Sequence, residues 1–166
     1  GMKFSRDEIR RAMLLYAVTD RSWLREGESL SGVCREVLKG GATFLQIREK
    51  DLDEASFEAE ARELKELCAE YRVPFVVNDS VEIALKIQAD GVHVGQSDIK
   101  GRDIRAMIGP DRILGISAGT PEEAAAAEKA GADYIGVGAV FGTSTKKDAK
   151  PMDHALLQEI CESVKI

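Results

Sequence analysis

The chain has 166 residues, 23 Lys+Arg against 29 Asp+Glu for a net charge of −6, 44% hydrophobic residues and three cysteines. That length fits a single domain spanning 1–166 with a substantial core, and no apolar stretch approaches the roughly 20 residues of a membrane span. The acidic balance, with no Lys/Arg run longer than two, excludes the continuous basic footprint of a non-specific nucleic-acid binder; a soluble, cytoplasmic protein with no membrane or nucleic-acid partner is expected.

In chain order, Gly1 ahead of Met2 reads as a cleavage scar. Six short apolar runs follow, at 14–19, 43–48, 74–78, 91–95, 113–117 and 134–138. The segments between them are helical in pattern. Phe57, Ala61, Leu64, Leu67, Cys68 and Tyr71 recur at steps of three and four, which predicts one buried helix face. Thr120-Pro121-Glu122-Glu123 predicts a capping box with proline at the first helical position, and Gly131 predicts the far end of that helix. Cys34, Cys68 and Cys161 have neither disulfide nor zinc spacing and read as small helix residues.

Strands alternating with helices predict βαβ units and an α/β fold with a parallel sheet. A weak internal repeat refines this. Ala42-Thr43-Phe44, Ala89-Asp90-Gly91 and Ala132-Asp133-Tyr134 each lead into an even-numbered strand, their alanines 47 and 43 positions apart. Alternate strands occupy equivalent layers in a TIM-type (βα) barrel but not in a doubly wound sheet, so the repeat favours the barrel.

Barrel chemistry sits at the carboxyl ends of the strands, and here those ends are polar. A period of two puts Gln46, Arg48 and Lys50 on one face. An inward arginine needs an anion, either a neighbouring carboxylate or a bound phosphate. Asn78-Asp79 ends the third strand and Asp98 follows the fourth. Each aspartate is either a helix cap or, as a pair, a ligand set for Mg²⁺ completed by phosphate oxygens. Ser117 ends the fifth strand, and Thr143, Ser144, Thr145 and Lys146 follow the sixth as a loop suited to phosphate. His93 reads as a satisfied interior histidine and His154 as a surface or cap residue. No Ser–His–Asp or Cys–His set, no Walker lysine loop and no Gly-x-Gly-x-x-Gly after a strand is present in the sequence. The polar ends together fit a diphosphate with Mg²⁺.

At these residues the sequence resembles the thiamine phosphate synthase (thiamine-phosphate pyrophosphorylase) family. The marks are Tyr16-Ala17-Val18-Thr19-Asp20, Gln46-Ile47-Arg48-Glu49-Lys50, Val77-Asn78-Asp79, the stretch 89–98, and Thr143-Ser144-Thr145-Lys146-Lys147. The resemblance implies a transferase of thiamine biosynthesis that joins hydroxymethylpyrimidine diphosphate to thiazole phosphate and releases pyrophosphate. It implies Gln46 on the pyrimidine, and Arg48, Lys50, Asn78 and Lys146 on the diphosphate. It further implies Asp79 and Asp98 on Mg²⁺, Ser117 supporting the diphosphate end, and Thr143, Ser144 and Thr145 on the thiazole phosphate, with Arg48, Ser117 and Lys146 as the catalytic groups.

Two departures stand out. The family pattern Ser-Ala-His-Thr is Ser117-Ala118-Gly119-Thr120 in this chain, and the family continues beyond the sixth helix with two further βα units. The resemblance therefore implies six of eight barrel units, with open strand edges that a homodimer or higher homo-oligomer would cover. Alternatives to the synthase are a non-catalytic pyrimidine-diphosphate-binding or regulatory relative and a thiazole tautomerase-like barrel.

Overall fold

The computed structural model describes residues 3–138 and 154–166. Its strands are β1 (Tyr16–Val18), β2 (Phe44–Ile47), β3 (Phe75–Asn78), β4 (Gly91–Val94), β5 (Ile113–Ser117) and β6 (Tyr134–Gly136). Its helices are α1 (Arg6–Ala12), α2 (Leu30–Lys39), α3 (Glu54–Glu70), α4 (Val81–Lys86), α5 (Ile104–Ile108), α6 (Pro121–Lys129) and α7 (His154–Glu162). The strand order is β1-β2-β3-β4-β5-β6, with parallel pairing and a helix after each strand. That is the βα repeat of the TIM-barrel type, an α/β fold.

All six apolar runs contain the expected strand, most of them trimmed at the ends. The first is shortened most: Leu14 and Leu15 belong to a 3-10 turn (Met13–Leu15), are 86% and 51% exposed, and strand pairing begins at Tyr16.

Residue packing divides the chain into two units. The first holds residues 1–93 with 108–113, and the second holds 94–107 with 114–166. In the first, all four residues of β2 are buried, and Phe44, Leu45, Ile47, Phe75, Val76 and Val77 are fully enclosed. Strands buried on both faces are the rule in parallel sheets covered by helices. The amphipathic stripe of α3 is present as read: Phe57, Ala61, Leu64, Leu67 and Cys68 are buried, and Asp53 caps the helix through the Ser56 N–H at 3.1 Å. Gly91 is required by close approach, since a Cβ there would lie 2.1 Å from the Ile113 carbonyl oxygen.

In the second unit Ala118, Ala124 and Ile160 form the buried cluster, with Ile135, Val137, Leu156 and Leu157 packed around it. Thr120 caps α6 through the Glu123 N–H at 3.1 Å. The expected capping box is only half made: the Glu123 carboxylate accepts from Gly119 N–H at 2.9 Å rather than from Thr120. Gly131 ends the helix with φ +91, a left-handed backbone that favours glycine. Cys34 and Cys68 are buried, whereas Cys161 is an exposed residue of α7 and not part of the core.

The internal repeat has a physical basis. Its middle residue makes the same two bonds three times. Thr43 N–H donates to Leu15 O at 2.9 Å while its hydroxyl accepts from Leu15 N–H at 2.8 Å. Asp90 N–H donates to Phe75 O at 3.1 Å while its carboxylate accepts from Phe75 N–H at 2.9 Å. Asp133 N–H donates to Leu114 O at 2.7 Å while its carboxylate accepts from Leu114 N–H at 2.8 Å. Each entry to an even strand is thus stapled to the start of the preceding odd strand or, for Thr43, to the residue just ahead of it, and the preceding alanine is buried every time.

Candidate functional site

In the first unit, β2 and β3 bring Gln46, Arg48, Lys50, Asn78 and Asp79 to their carboxyl ends. Gln46 pairs with Val76 and Ile47 with Val77, so continuing the register sets Arg48 level with Asn78. Gln46 is buried, and its side-chain amide donates to the Tyr16 hydroxyl at 2.7 Å. Tyr16 is itself fixed by stacking on Phe44, centroids 4.4 Å apart with 15° between planes. A buried amide aimed by a stacked tyrosine is a preorganised polar group, suited to reading the edge of a ring.

Arg48 is half-buried and Lys50 exposed. The backbone of Arg48 is bracketed by Thr19, whose hydroxyl accepts the Arg48 N–H at 3.0 Å and donates to the Arg48 carbonyl at 3.4 Å. Thr19 N–H donates in turn to Gln46 O at 2.9 Å. The 46–50 segment is therefore positioned by the end of β1 as well as by its own strand.

Asn78 is half-buried and Asp79 exposed. Asp79 has φ +67, and its N–H donates to His93 O at 2.8 Å. Aspartate tolerates this left-handed region better than most residues, and such conformations gather at functional sites. The helix-cap reading of Asp79 is not borne out: Ser80 caps α4, accepting from Ile83 N–H at 3.1 Å. His93 is 8% exposed, and burial with the nearby Arg48 charge pushes it down to about 4. It is thus neutral at pH 7, the interior histidine expected from the sequence.

In the second unit, Asp98 closes a tight turn after β4. Its carboxylate accepts from Gly95 N–H at 2.8 Å, and its own N–H donates to Gly95 O at 3.1 Å. One accepted bond leaves a carboxylate with further acceptor capacity. Ser117 is exposed at the end of β5. Gln96 ties these parts together, donating to Ser117 O at 2.9 Å and to Glu123 O at 3.0 Å. Thr143, Ser144, Thr145 and Lys146 lie outside the described residues.

Among the described residues no three His, Cys, Asp or Glu side chains converge to hold a metal by themselves. Mg²⁺ needs fewer protein ligands than that, one or two carboxylates with water and phosphate oxygens completing its shell. A cavity in the first unit, bordered by Phe4, Arg11, Thr43, Tyr71 and Arg72, precedes β2 and β3 and touches none of the candidate residues. No described helix is long and apolar enough to cross a membrane.

The family model described as thiamine monophosphate synthase matches residues 15–166. The chain belongs to the thiamine monophosphate synthase family. The thiamine-phosphate synthase of Clostridium novyi (strain NT) is 50% identical over 153 residues, covering 92% of this chain and 74% of that protein. That of Methanobrevibacter smithii is 47% identical over 152 residues, covering 92% and 72%. Among solved structures, a thiamine phosphate pyrophosphorylase from Pyrococcus furiosus superposes with a TM-score of 0.82 at 39% identity, covering 95% of this chain and 74% of that one. An N-acetylmannosamine-6-phosphate 2-epimerase from Clostridium perfringens shares the fold alone, with a TM-score of 0.59 at 17% identity. The chain thus spans about three quarters of the length of the synthases it matches.

Four residues escaped the reading of strand ends. Tyr16 aims Gln46, Thr19 brackets Arg48, and Arg21 bridges Glu49 to Glu60. Tyr16 and Thr19 lie in a stretch whose resemblance to the family was visible; Arg21 and Glu60 become neighbours of Glu49 only in three dimensions.

Proposed function

We propose that this chain joins hydroxymethylpyrimidine diphosphate to thiazole phosphate, releasing pyrophosphate and forming thiamine phosphate. The observation that carries this reading is the run Gln46–Arg48 beside Asn78 in a chain of this family: a buried amide next to a half-buried arginine at the carboxyl ends of β2 and β3. In this reading Gln46 holds the pyrimidine, while Arg48, Lys50 and Asn78 hold the diphosphate with Lys146. Asp79 and Asp98 are the ligands of Mg²⁺, which when bound neutralises charge on the diphosphate oxygens. Ser117 supports the departing end, and Thr143, Ser144 and Thr145 hold the thiazole phosphate.

The chemistry asks for charge stabilisation rather than a strong base. The bond between the pyrimidine methylene carbon and the diphosphate oxygen breaks, both electrons leaving with pyrophosphate, and the thiazole nitrogen supplies the pair that forms the new carbon–nitrogen bond. Arg48 and Lys146 offset the negative charge that grows on the leaving group. His93 is buried, and burial with the Arg48 charge holds it neutral.

The test is pyrophosphate release from hydroxymethylpyrimidine diphosphate, with and without thiazole phosphate and Mg²⁺. Release that needs both is expected; tight binding without turnover would instead mark a binding relative. Arg48→Ala should lower kcat/KM by about a hundredfold or more, in line with losing one charge-stabilising donor, while Lys150→Ala, a change at a lysine that reads in the sequence as solvated, leaves it unchanged. Equal effects of the two would undo the assignment.

A further inference from the structure

Between the two cations Arg48 and Lys50 stands Glu49, which strand alternation turns to the other side. Its side chain is 5% exposed, and one oxygen accepts from Arg21 Nε at 3.1 Å. A second nitrogen of the same guanidinium donates to Glu60 of α3 at 2.6 Å; the Glu60 side chain is 17% exposed. The remaining oxygens, Glu49 Oε1 and Glu60 Oε1, are buried and meet no N–H or O–H donor among the described residues.

Two carboxylates on one guanidinium leave an uncompensated negative charge and two buried acceptors without donors. A single proton held between them supplies the missing donor and makes the triad neutral. The surroundings favour this. Burial first, then a hydrogen bond and charge from Glu49, push Glu60 up to about 7 against the pull of Arg21. Burial first, then the Glu60 charge, pushes the Cys34 thiol of α2 up to about 12, so it is uncharged beside the pair.

We propose that Glu49 and Glu60 share one proton across Arg21, and that this neutral triad is a positioning device that fixes the direction of Arg48 and Lys50. It works from behind the strand end, where Thr19 already holds the Arg48 backbone. Loss of the proton sets two carboxylates against each other, frees residue 49 and loosens both neighbours. The role toward a ligand rests on reading Arg48 and Lys50 as a diphosphate clamp; the shared proton does not.

Three measurements on the whole chain decide it. In a carboxyl-carbon NMR titration the Glu49–Glu60 pair is expected to lose its last proton near neutrality; ordinary carboxylate titration of both residues overturns the shared proton. Hydrogen exchange at the Arg48 N–H should speed up about tenfold in Glu49→Ala, as a positioning contact is lost, but stay near wild type in Glu49→Gln, whose amide donates to Glu60 and accepts from Arg21. Equal exchange in all three overturns the positioning role; if the alanine variant folds poorly, protection of the Arg48 N–H is expected to fall between about pH 6 and about pH 8 in wild type but not in Glu49→Gln, and the same pH dependence in both overturns the role. Finally, affinity for inorganic pyrophosphate with Mg²⁺ should fall about tenfold in Glu49→Ala, and its decline between about pH 6 and about pH 8 should flatten in Glu49→Gln. A wild-type chain that binds no pyrophosphate overturns the clamp reading, and the first two measurements then still decide the pair.

Discussion

His93 shows how one residue carries two consequences of its place. It pairs in register with Asn78, so it lies one strand from the candidate site, yet burial keeps it uncharged and the Arg48 charge reinforces that. The linkage has a definite sign. A histidine with a usual value of 6.5 that is pushed down to about 4 binds its proton more readily in the unfolded chain. The neutral form is therefore worth its full stabilisation above the unfolded value, and that is lost as pH falls through about 6.5 toward about 4. The shift corresponds to about 3 kcal/mol. Urea unfolding of wild type and His93→Gln at a series of pH values should show the wild type losing about that much more over the window. Parallel curves would mean that His93 is not a buried neutral group. Alternation with Val92 and Val94 made its inward direction legible in the sequence. The hydrogen bond from Gln46 to Tyr16 was not legible, since it joins residues 30 positions apart that meet only through β1–β2 pairing.

Among the elements, the staple at the entry to each even strand explains why a local pattern recurs through an otherwise unrepetitive chain. Thr43, Asp90 and Asp133 differ in chemistry but share a short side chain with an acceptor oxygen, which reaches back to an N–H at, or just ahead of, the start of the previous strand. The repeat could be seen in the sequence; its cause could not, because Thr and Asp do not look alike until their acceptors are placed. Asp90 is the sharpest test, being 8% exposed while its carboxylate satisfies the Phe75 N–H. Asp90→Ala leaves that donor buried without its partner and should cost about 2–3 kcal/mol, whereas Asp90→Asn keeps an acceptor in place and should cost about 1 kcal/mol. Denaturant midpoints at constant slope measure both. A similar cost for the two substitutions would show that the acceptor is not what holds the strand entry. The missed half of the capping box follows the same logic: Glu123 was placed correctly on α6, but which N–H its carboxylate would find depended on the path of Gly119.

For the molecule as a whole, the sequence made the fold class legible because hydrophobic runs and helical stripes are local, and the site partly legible because alternation along β2 is local too. What it hid were contacts made beyond β1 and by α3: Thr19 and Arg21 reach residues 48 and 49 from far along the chain, and Glu60 shares the Arg21 guanidinium with Glu49. Net charge sharpens the functional test. A chain at −6 repels anions on average, so stabilisation by a diphosphate has to come from a local clamp rather than from a general basic surface. A ligand that binds only the folded chain stabilises it by about 2.7 kcal/mol at a hundredfold excess over Kd. For a chain of this size that amounts to roughly 5–10 °C in Tm. Inorganic pyrophosphate with Mg²⁺ should give such a shift, sulfate at equal ionic strength should not, and Arg48→Ala should abolish most of it. A shift that persists in Arg48→Ala, or that sulfate reproduces, would place the anion elsewhere on the molecule and remove Arg48 from the site.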